Sequence, residues 1–160
     1  MRMNETISGI APSATLAITS KAKAMATEGR EVFSFAAGEP DFDTPDHIKD
    51  AAIQALHDGM TKYSPAVGLL ELREAIAEEL KTHNNIEVDA KQVIVSDGAK
   101  HTLFNIFMAL LQPGDEVLIP TPYWLSYPEM VRIAGGTPVF VEASEAEGFK
   151  VTRAALEAAV

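Results

Sequence analysis

Cysteine is absent from the 160-residue sequence, which excludes disulfide bonds, thiolate metal sites and a cysteine nucleophile. Positive charge is scarce: 13 lysines and arginines stand against 23 aspartates and glutamates, a formal net charge of -10. A nucleic-acid-binding protein needs clustered positive charge. No apolar run approaches the roughly 18 residues of a membrane span. A signal peptide needs an unbroken apolar core near the N-terminus, where this chain carries Glu5 and Pro12. We therefore expect a cytoplasmic protein that binds neither nucleic acid nor membrane.

The remaining composition is that of a globular protein of about one domain. Apolar residues make up 47% of the chain, with 10 glycines and 9 prolines. In the first half, apolar spacing and helix-boundary residues predict helices over residues 14–28, 45–58 and about 69–84, the second capped by Thr44. Residues 32–36 alternate in polarity and predict a short strand.

From residue 93 onward, short apolar runs alternate with helical patterns. Strands are predicted at residues 93–95, 116–119 and 139–141. Helices are predicted after Gly98 and over about residues 127–134. This order is typical of an α/β fold, in which helices cover both faces of a parallel sheet through right-handed crossovers. Thr152 is expected to cap a further helix that has only begun at residue 160, so we expect the front part of a longer protein.

The turn at residues 96–100 (SDGAK) is the strongest candidate for an anion site. It lies between a predicted strand and a predicted helix, and Gly98 lets the backbone turn tightly. Free N–H groups and the dipole at a helix N-terminus favour a phosphate. The segment matches neither glycine-rich nucleotide motif, and an ordinary strand-to-helix turn accounts for it as well.

Trp124, the single tryptophan, lies in residues 122–128 (PYWLSYP), directly after the strand predicted at 116–119. In open α/β sheets, ligands bind in the crevice at the carboxyl ends of the strands. An indole ring there is suited to stacking on a flat ring of a ligand. Packing of Trp124 beneath its own loop is the alternative interpretation.

Metal binding has little support in the sequence. Glu39, Asp41 and Asp43 lie at alternate positions but lack the glycine and the distant glutamate of a calcium loop, so turn and capping roles are favoured. The histidines lack the paired spacing of zinc ligands, and His47 and His57 are expected on a solvated helix face.

Six ordered strings together carry a family resemblance. They are residues 11–18 (APSATLAI), 37–45 (AGEPDFDTP), 61–65 (TKYSP), 72–76 (LREAI), 113–117 (PGDEV) and 122–130 (PYWLSYPEM). In these strings the chain resembles the N-terminal portion of pyridoxal-phosphate-dependent class I aminotransferases of fold type I. The likeness is greatest to the bacterial aspartate aminotransferase subgroup.

The resemblance implies a truncated fold of type I, with helices around a mostly parallel sheet. Residues 1–44 would form the N-terminal arm and the start of the small domain. Residues 45–160 would form the first, incomplete part of the large domain that binds pyridoxal 5′-phosphate.

Roles for single residues follow from the same resemblance. Gly98, Ala99 and Lys100 correspond to the turn that binds the cofactor phosphate. Trp124 corresponds to the aromatic ring that stacks on the cofactor and borders the substrate, and Gly38 to the segment against the substrate carboxylate. Tyr63 corresponds to a tyrosine that reaches the phosphate of the other subunit, which implies a homodimer with shared active sites.

The implied reaction transfers an amino group between an amino acid, aspartate being expected, and a 2-oxo acid. The family's Schiff-base lysine is expected beyond Val160, so no catalytic residue is expected within this chain, which should be inactive by itself. Another transaminase or lyase on this scaffold, or a non-catalytic binding domain, are the alternatives.

The chain also departs locally from what relatives carry. Relatives often read GGKQ where residues 98–101 read GAKH, so Ala99 adds a methyl group at the turn. Asp97 brings negative charge near a phosphate. Ala11 replaces a basic residue of some relatives.

Overall fold

A computed structural model describes residues 4–160 and divides them into two compact units. The first unit contains residues 4–12 and Ser96–Val160, and the second is the continuous segment Ser13–Val95. The expected division into domains between residues 44 and 45 stays a prediction, and residues 1–3 of its first part lie outside the described residues.

The elements follow one another along the chain with short connections. The helices are α1 (Glu5–Ser8), α2 (Ala14–Thr27), α3 (Asp46–His57), α4 (Leu70–Asn84), α5 (Gly98–Leu110), α6 (Ser126–Ile133) and α7 (Arg153–Ala159). The strands are β1 (Glu116–Thr121) and β2 (Thr137–Glu142). Short 3-10 turns occupy Ala90–Gln92 and Glu145–Glu147.

A strand–helix–strand arrangement organises the first unit. β1 and β2 pair in parallel, from Glu116 opposite Thr137 to Thr121 opposite Glu142. α6 connects them, α5 and α1 pack against α6, and α7 packs against β2. The predicted parallel pairing of these two strands is confirmed, and so are the helices on either side of them.

The core of this unit lies between the sheet and α6. Its buried apolar side chains are Ile119, Met130, Val131, Val141 and Ala143. Val131 is completely buried. Gly136 is needed at the turn into β2, because a Cβ atom there would lie 3.0 Å from Leu111 Cδ1 and 3.2 Å from Val131 Cγ1.

Helices α2, α3 and α4 make up most of the second unit. Their predicted positions are confirmed to within a few residues. α2 begins after Ser13, whose side chain accepts a hydrogen bond from the Leu16 N–H. α4 ends at Asn85, which adopts the left-handed conformation at φ 56° and so closes the helix.

Arg73 connects three segments of the second unit from its position on α4. Its Nε donates to the Gly68 carbonyl at 3.1 Å and its Nη1 to the Ala90 carbonyl at 2.9 Å. Gly68 adopts φ +97°, and a Cβ atom there would lie 2.7 Å from Val95 Cγ2. The loop before α4 and the turn after it are therefore held by one side chain and one close backbone approach.

Two predicted strands are wrong. Residues 93–95 form no strand, because the Val93 N–H donates back to Ala90 at 3.2 Å and the Val95 N–H donates to the Val67 carbonyl at 3.1 Å. One such bond to a loop does not make a ladder. Residues 32–36 likewise lack a partner strand among the described residues, and Phe33 and Phe35 are exposed.

The predicted cap of α3 is also wrong. Pro45, not Thr44, occupies the cap position, and no side chain accepts a hydrogen bond from the first turn. Asp46 stabilises this end through its charge and pairs with Lys49 at 2.7 Å. Over residues 4–160, no helix combines the length and apolar character that crossing a bilayer requires.

Candidate functional site

The turn before α5 has an open backbone surface. Gly98 adopts φ +79°, which favours glycine, and its N–H donates to the Ser96 carbonyl at 2.8 Å. A Cβ atom built on Gly98 would meet no atom within 4 Å. A ligand can therefore approach this backbone closely.

Two donors of the first helical turn remain available at this surface. Ala99 and Lys100 follow Gly98, and their N–H groups have no acceptor among residues 4–160. Asp97 is the N-cap residue, but its carboxylate accepts no hydrogen bond from the helix. The aspartate therefore leaves these donors free for an anion, which the helix dipole also favours.

His101 completes the turn in a way that the sequence did not indicate. Its Nδ1 accepts a hydrogen bond of 3.2 Å from the Asp97 N–H. A side chain of the first turn that reaches back to the N-cap N–H fixes the chain entry, as glutamate does in a capping box. The signal in the sequence is a polar residue four positions after the N-cap, and the spacing of the histidines indicates no role for it.

A largely apolar cleft of about 460 Å³ lies at the carboxyl end of β1. It is lined by Ile119, Pro120, Pro122, Tyr123, Trp124 and Tyr127. Trp124 is half-exposed, whereas Tyr123 stacks on Phe140 of β2 with ring centroids 5.0 Å apart. Of these two neighbours, the tyrosine packs on the sheet and the tryptophan remains accessible to a ligand.

Lys100 connects the turn to the cleft. Its Nζ lies over the Trp124 ring, 5.7 Å from the centroid, within the range of a cation–π contact. Lys100 forms no ion pair in the described part of the chain. In the described chain, free N–H groups, an unpaired ammonium and an accessible indole thus lie together, and the cofactor-binding roles expected of Gly98, Ala99, Lys100 and Trp124 stay predictions.

The other two expected site residues belong to the second unit. Gly38 lies in an exposed loop, and Tyr63 is fully exposed in the loop before α4. Their roles stay predictions. Metal-ligating types do not converge either: no group of three or more histidine, aspartate or glutamate side chains in residues 4–160 is placed to hold a metal ion.

Comparison with known proteins gives a consistent result. The sequence profile of aminotransferase class I and II matches residues 30–160. The chain is 49% identical to the aspartate aminotransferase of Bacillus subtilis (strain 168) over 160 residues, covering all of this chain and 41% of that protein. It is 52% identical to the probable aspartate/prephenate aminotransferase of Rhizobium leguminosarum bv. phaseoli, covering 98% of this chain and 39% of that protein.

Solved structures agree with this likeness. The aspartate aminotransferase from Thermus thermophilus with maleate superposes with a TM-score of 0.95 at 46% identity, covering all of this chain and 42% of that one. The aspartate aminotransferase from Rhizobium meliloti gives a TM-score of 0.93 at 46% identity. The chain therefore spans about two fifths of the length of these relatives.

Proposed function

The chain belongs to the class I and II aminotransferase family, and we propose that it is part of an enzyme that transfers the amino group of aspartate to a 2-oxo acid with pyridoxal 5′-phosphate. The observation that carries this proposal is the Lys100 Nζ over the Trp124 ring at 5.7 Å, because it joins the anion-binding turn to the aromatic cleft. A flat, phosphorylated ring requires that combination.

The residues present fit this cofactor. The surface above Gly98 is open, and the N–H groups of Ala99 and Lys100 are unpaired in the described chain. The Asp97 carboxylate does not occupy the helix N-terminus. Ala99 departs from the glycine of many relatives, but it contributes through its backbone N–H, so its methyl group is compatible with the role.

Each residue of the turn has a separate task in binding. The N–H groups of Ala99 and Lys100 would hold the phosphate, and the helix dipole would add to this attraction. The Lys100 ammonium lowers the cost of bringing a dianion to a chain of net charge -10. Gly98 lets the phosphate approach the backbone.

Trp124 provides a flat apolar surface in the cleft. Its ring would hold the flat ring of the cofactor in the cleft. The neighbouring Tyr123 holds the loop on the sheet through its contact with Phe140. When bound, the cofactor supplies the electron sink that lets the amino acid lose its α-proton.

Lys100 is assigned to the phosphate and not to the proton transfer. We therefore predict that the 160-residue chain alone does not transaminate. The test incubates the chain and, separately, the full-length protein with aspartate, 2-oxoglutarate and the cofactor, and measures oxaloacetate. Turnover by the 160-residue chain that is lost in Lys100→Ala would overturn the assignment.

Aspartate is the proposed amino donor because the relatives of Bacillus and Thermus are named for it. The Thermus structure contains maleate, a dicarboxylate. The name of the Rhizobium relative favours prephenate as a second amino acceptor. Initial rates of the full-length protein with 2-oxoglutarate and with prephenate distinguish the two acceptors, and a rate on neither would contradict the proposal.

The assembly is part of the same proposal. Tyr63, fully exposed here, would reach the phosphate of a second subunit, so the active enzyme would be a homodimer. Residues 1–44 would contribute to its small domain and residues 45–160 to its large one. A cytoplasmic location stays a prediction, which cell fractionation tests; light scattering of the full-length protein tests the dimer.

A further inference from the structure

His101 occupies a place in the site that neither the family resemblance nor the cleft explains. It follows Lys100 in the first turn of α5, and its Nδ1 lies 3.2 Å from the Asp97 nitrogen. The Asp97 N–H has no backbone acceptor among the described residues, so the imidazole is its hydrogen-bond partner. The bond closes the turn from the side chain back to the N-cap.

This bond requires one tautomer of the neutral imidazole. Nδ1 accepts only when it carries a lone pair, so the proton of the neutral ring resides on Nε2. An imidazolium has N–H groups on both nitrogens and cannot accept from the Asp97 N–H. Protonation therefore breaks the bond that closes the turn.

Few charged groups lie near His101. Asp97 and Lys100 lie on its own segment, and α6 packs against α5. The titratable groups of α6 are Tyr127, Glu129 and Arg132, and the last two pair with each other at 2.6 Å. Lys100 lies over Trp124 and Asp97 forms no ion pair in the described chain, so no described ion pair competes for the imidazole.

We propose that His101 is a positioning residue, whose neutral imidazole holds the Asp97–Gly98 backbone so that the Ala99 and Lys100 N–H groups point together at an anion. The hydrogen bonds of that backbone include Asp97 N–H to His101, Gly98 N–H to Ser96 at 2.8 Å and the Thr102 hydroxyl to the Gly98 carbonyl at 3.3 Å. Of these bonds, only the one to His101 has an acceptor that protonation removes. The consequence for phosphate binding rests on the proposed function.

The variants test separately whether the side chain at residue 101 accepts a hydrogen bond and whether it can be protonated. Glutamine keeps an acceptor oxygen that does not titrate, so His101→Gln should hold the turn at every pH. Leucine has no acceptor, so His101→Leu should lose the bond at every pH. His83→Gln is the matched control, because His83 is an exposed histidine of α4 that pairs with Glu79 at 3.0 Å in the other unit.

The first measurement uses the cofactor-free full-length protein. Nitrogen-15 spectra of the histidines should show His101 with its proton on Nε2 and an unprotonated Nδ1. Hydrogen exchange of the Asp97 amide, corrected for its intrinsic pH dependence, should accelerate about fivefold as His101 protonates. The acceleration should be absent in His101→Gln, present at all pH values in His101→Leu and unchanged in His83→Gln.

A proton on Nδ1 of neutral His101, or equal Asp97 exchange in the parent and His101→Leu, would overturn the proposal. The second measurement titrates each protein with pyridoxal 5′-phosphate at a pH where the nitrogen-15 spectra show a neutral His101. We expect affinity about fivefold weaker in His101→Leu than in His101→Gln. Equal affinities would refute the positioning role toward phosphate, whereas failure of every protein, the parent included, to bind would refute the proposed function instead.

Discussion

The two units of the chain bury their apolar residues to very different degrees. In the first unit, Ile119, Met130, Val131 and Val141 are at most 5% exposed. In the second, only Val93 is buried to a similar level among the described residues. The strand–helix–strand arrangement encloses a core from elements near in sequence, whereas α2, α3 and α4 contribute no residue buried to this degree.

The difference bears on how each site residue is held. Trp124 lies in a loop whose two ends belong to the packed elements β1 and α6, and Tyr123 anchors that loop on Phe140. Gly38 and Tyr63 lie in exposed loops of the second unit. The described chain therefore positions Trp124, a proposed cofactor-binding residue, by packing within the first unit.

The largest expected effect is a loss of stability at Met130. Met130→Ala removes a nearly buried side chain from α6 and should lower the free energy of unfolding of the 160-residue chain by about 2–5 kcal/mol. Met60→Ala is the matched control, because Met60 is 62% exposed in the second unit and should change stability by at most about 0.5 kcal/mol. Urea denaturation followed by circular dichroism measures both, and equal effects would break the comparison between the units.

Next in size is the replacement of Arg73. Arg73→Met removes two charge-assisted hydrogen bonds, to Gly68 and Ala90, and should destabilise the second unit by about 2–3 kcal/mol. Hydrogen exchange of the Val95 amide, which donates to Val67, reports the loosened loop. Arg153→Met is the control, since that arginine is exposed and pairs only with Glu157 among the described residues. An unchanged Val95 amide would show that Arg73 does not hold the loop.

A smaller effect is expected at Gly68. Gly68→Ala places a Cβ atom 2.7 Å from Val95 Cγ2 at a positive φ, and should cost about 1–3 kcal/mol. At Gly59, also at positive φ, an added Cβ would meet nothing within 4 Å, so Gly59→Ala carries only the backbone strain. The difference between the two melting temperatures isolates the contact with Val95. If Gly59→Ala were the more destabilising, the close approach would have no energetic weight.

The smallest effect on stability is expected at Trp124, although it matters most for binding. In the full-length protein, Trp124→Ala should weaken cofactor affinity by about 0.5–1.5 kcal/mol while the cofactor-free form melts nearly unchanged. Tyr123→Ala should do the reverse, because Tyr123 stacks on Phe140. Cofactor titrations of both variants measure the affinity, and their melting curves measure the stability. A large loss of stability with normal affinity in Trp124→Ala would make it a packing residue.

Sequence patterns predicted the elements that residues close together in the chain mark. The helices appeared through apolar spacing and through boundary residues such as Ser13 and Asn85. The apolar run at residues 93–95 predicted a strand because periodicity cannot show whether a partner strand is present. Its backbone bonds instead go to Ala90 and Val67.

Part of the candidate site could also be predicted from local sequence signals. Gly98 and Trp124 were singled out because a glycine before a predicted helix and an aromatic residue after a predicted strand are local signals, although the strand expected before Gly98 is not formed. The contact of Lys100 with Trp124 joins residues 24 positions apart, and spacing does not reveal it. The bond from Asp97 to His101 is local, but a histidine that accepts a backbone hydrogen bond has no distinctive pattern in the sequence.

We propose that the turn before α5 binds the cofactor phosphate beside Trp124. A crystal structure of the full-length protein with pyridoxal 5′-phosphate tests it most directly. We predict phosphate oxygens about 2.7–3.2 Å from the backbone nitrogens of Ala99 and Lys100, with the pyridine ring against the Trp124 indole. A phosphate bound away from this turn, with the Trp124 ring facing no ligand, would contradict the account.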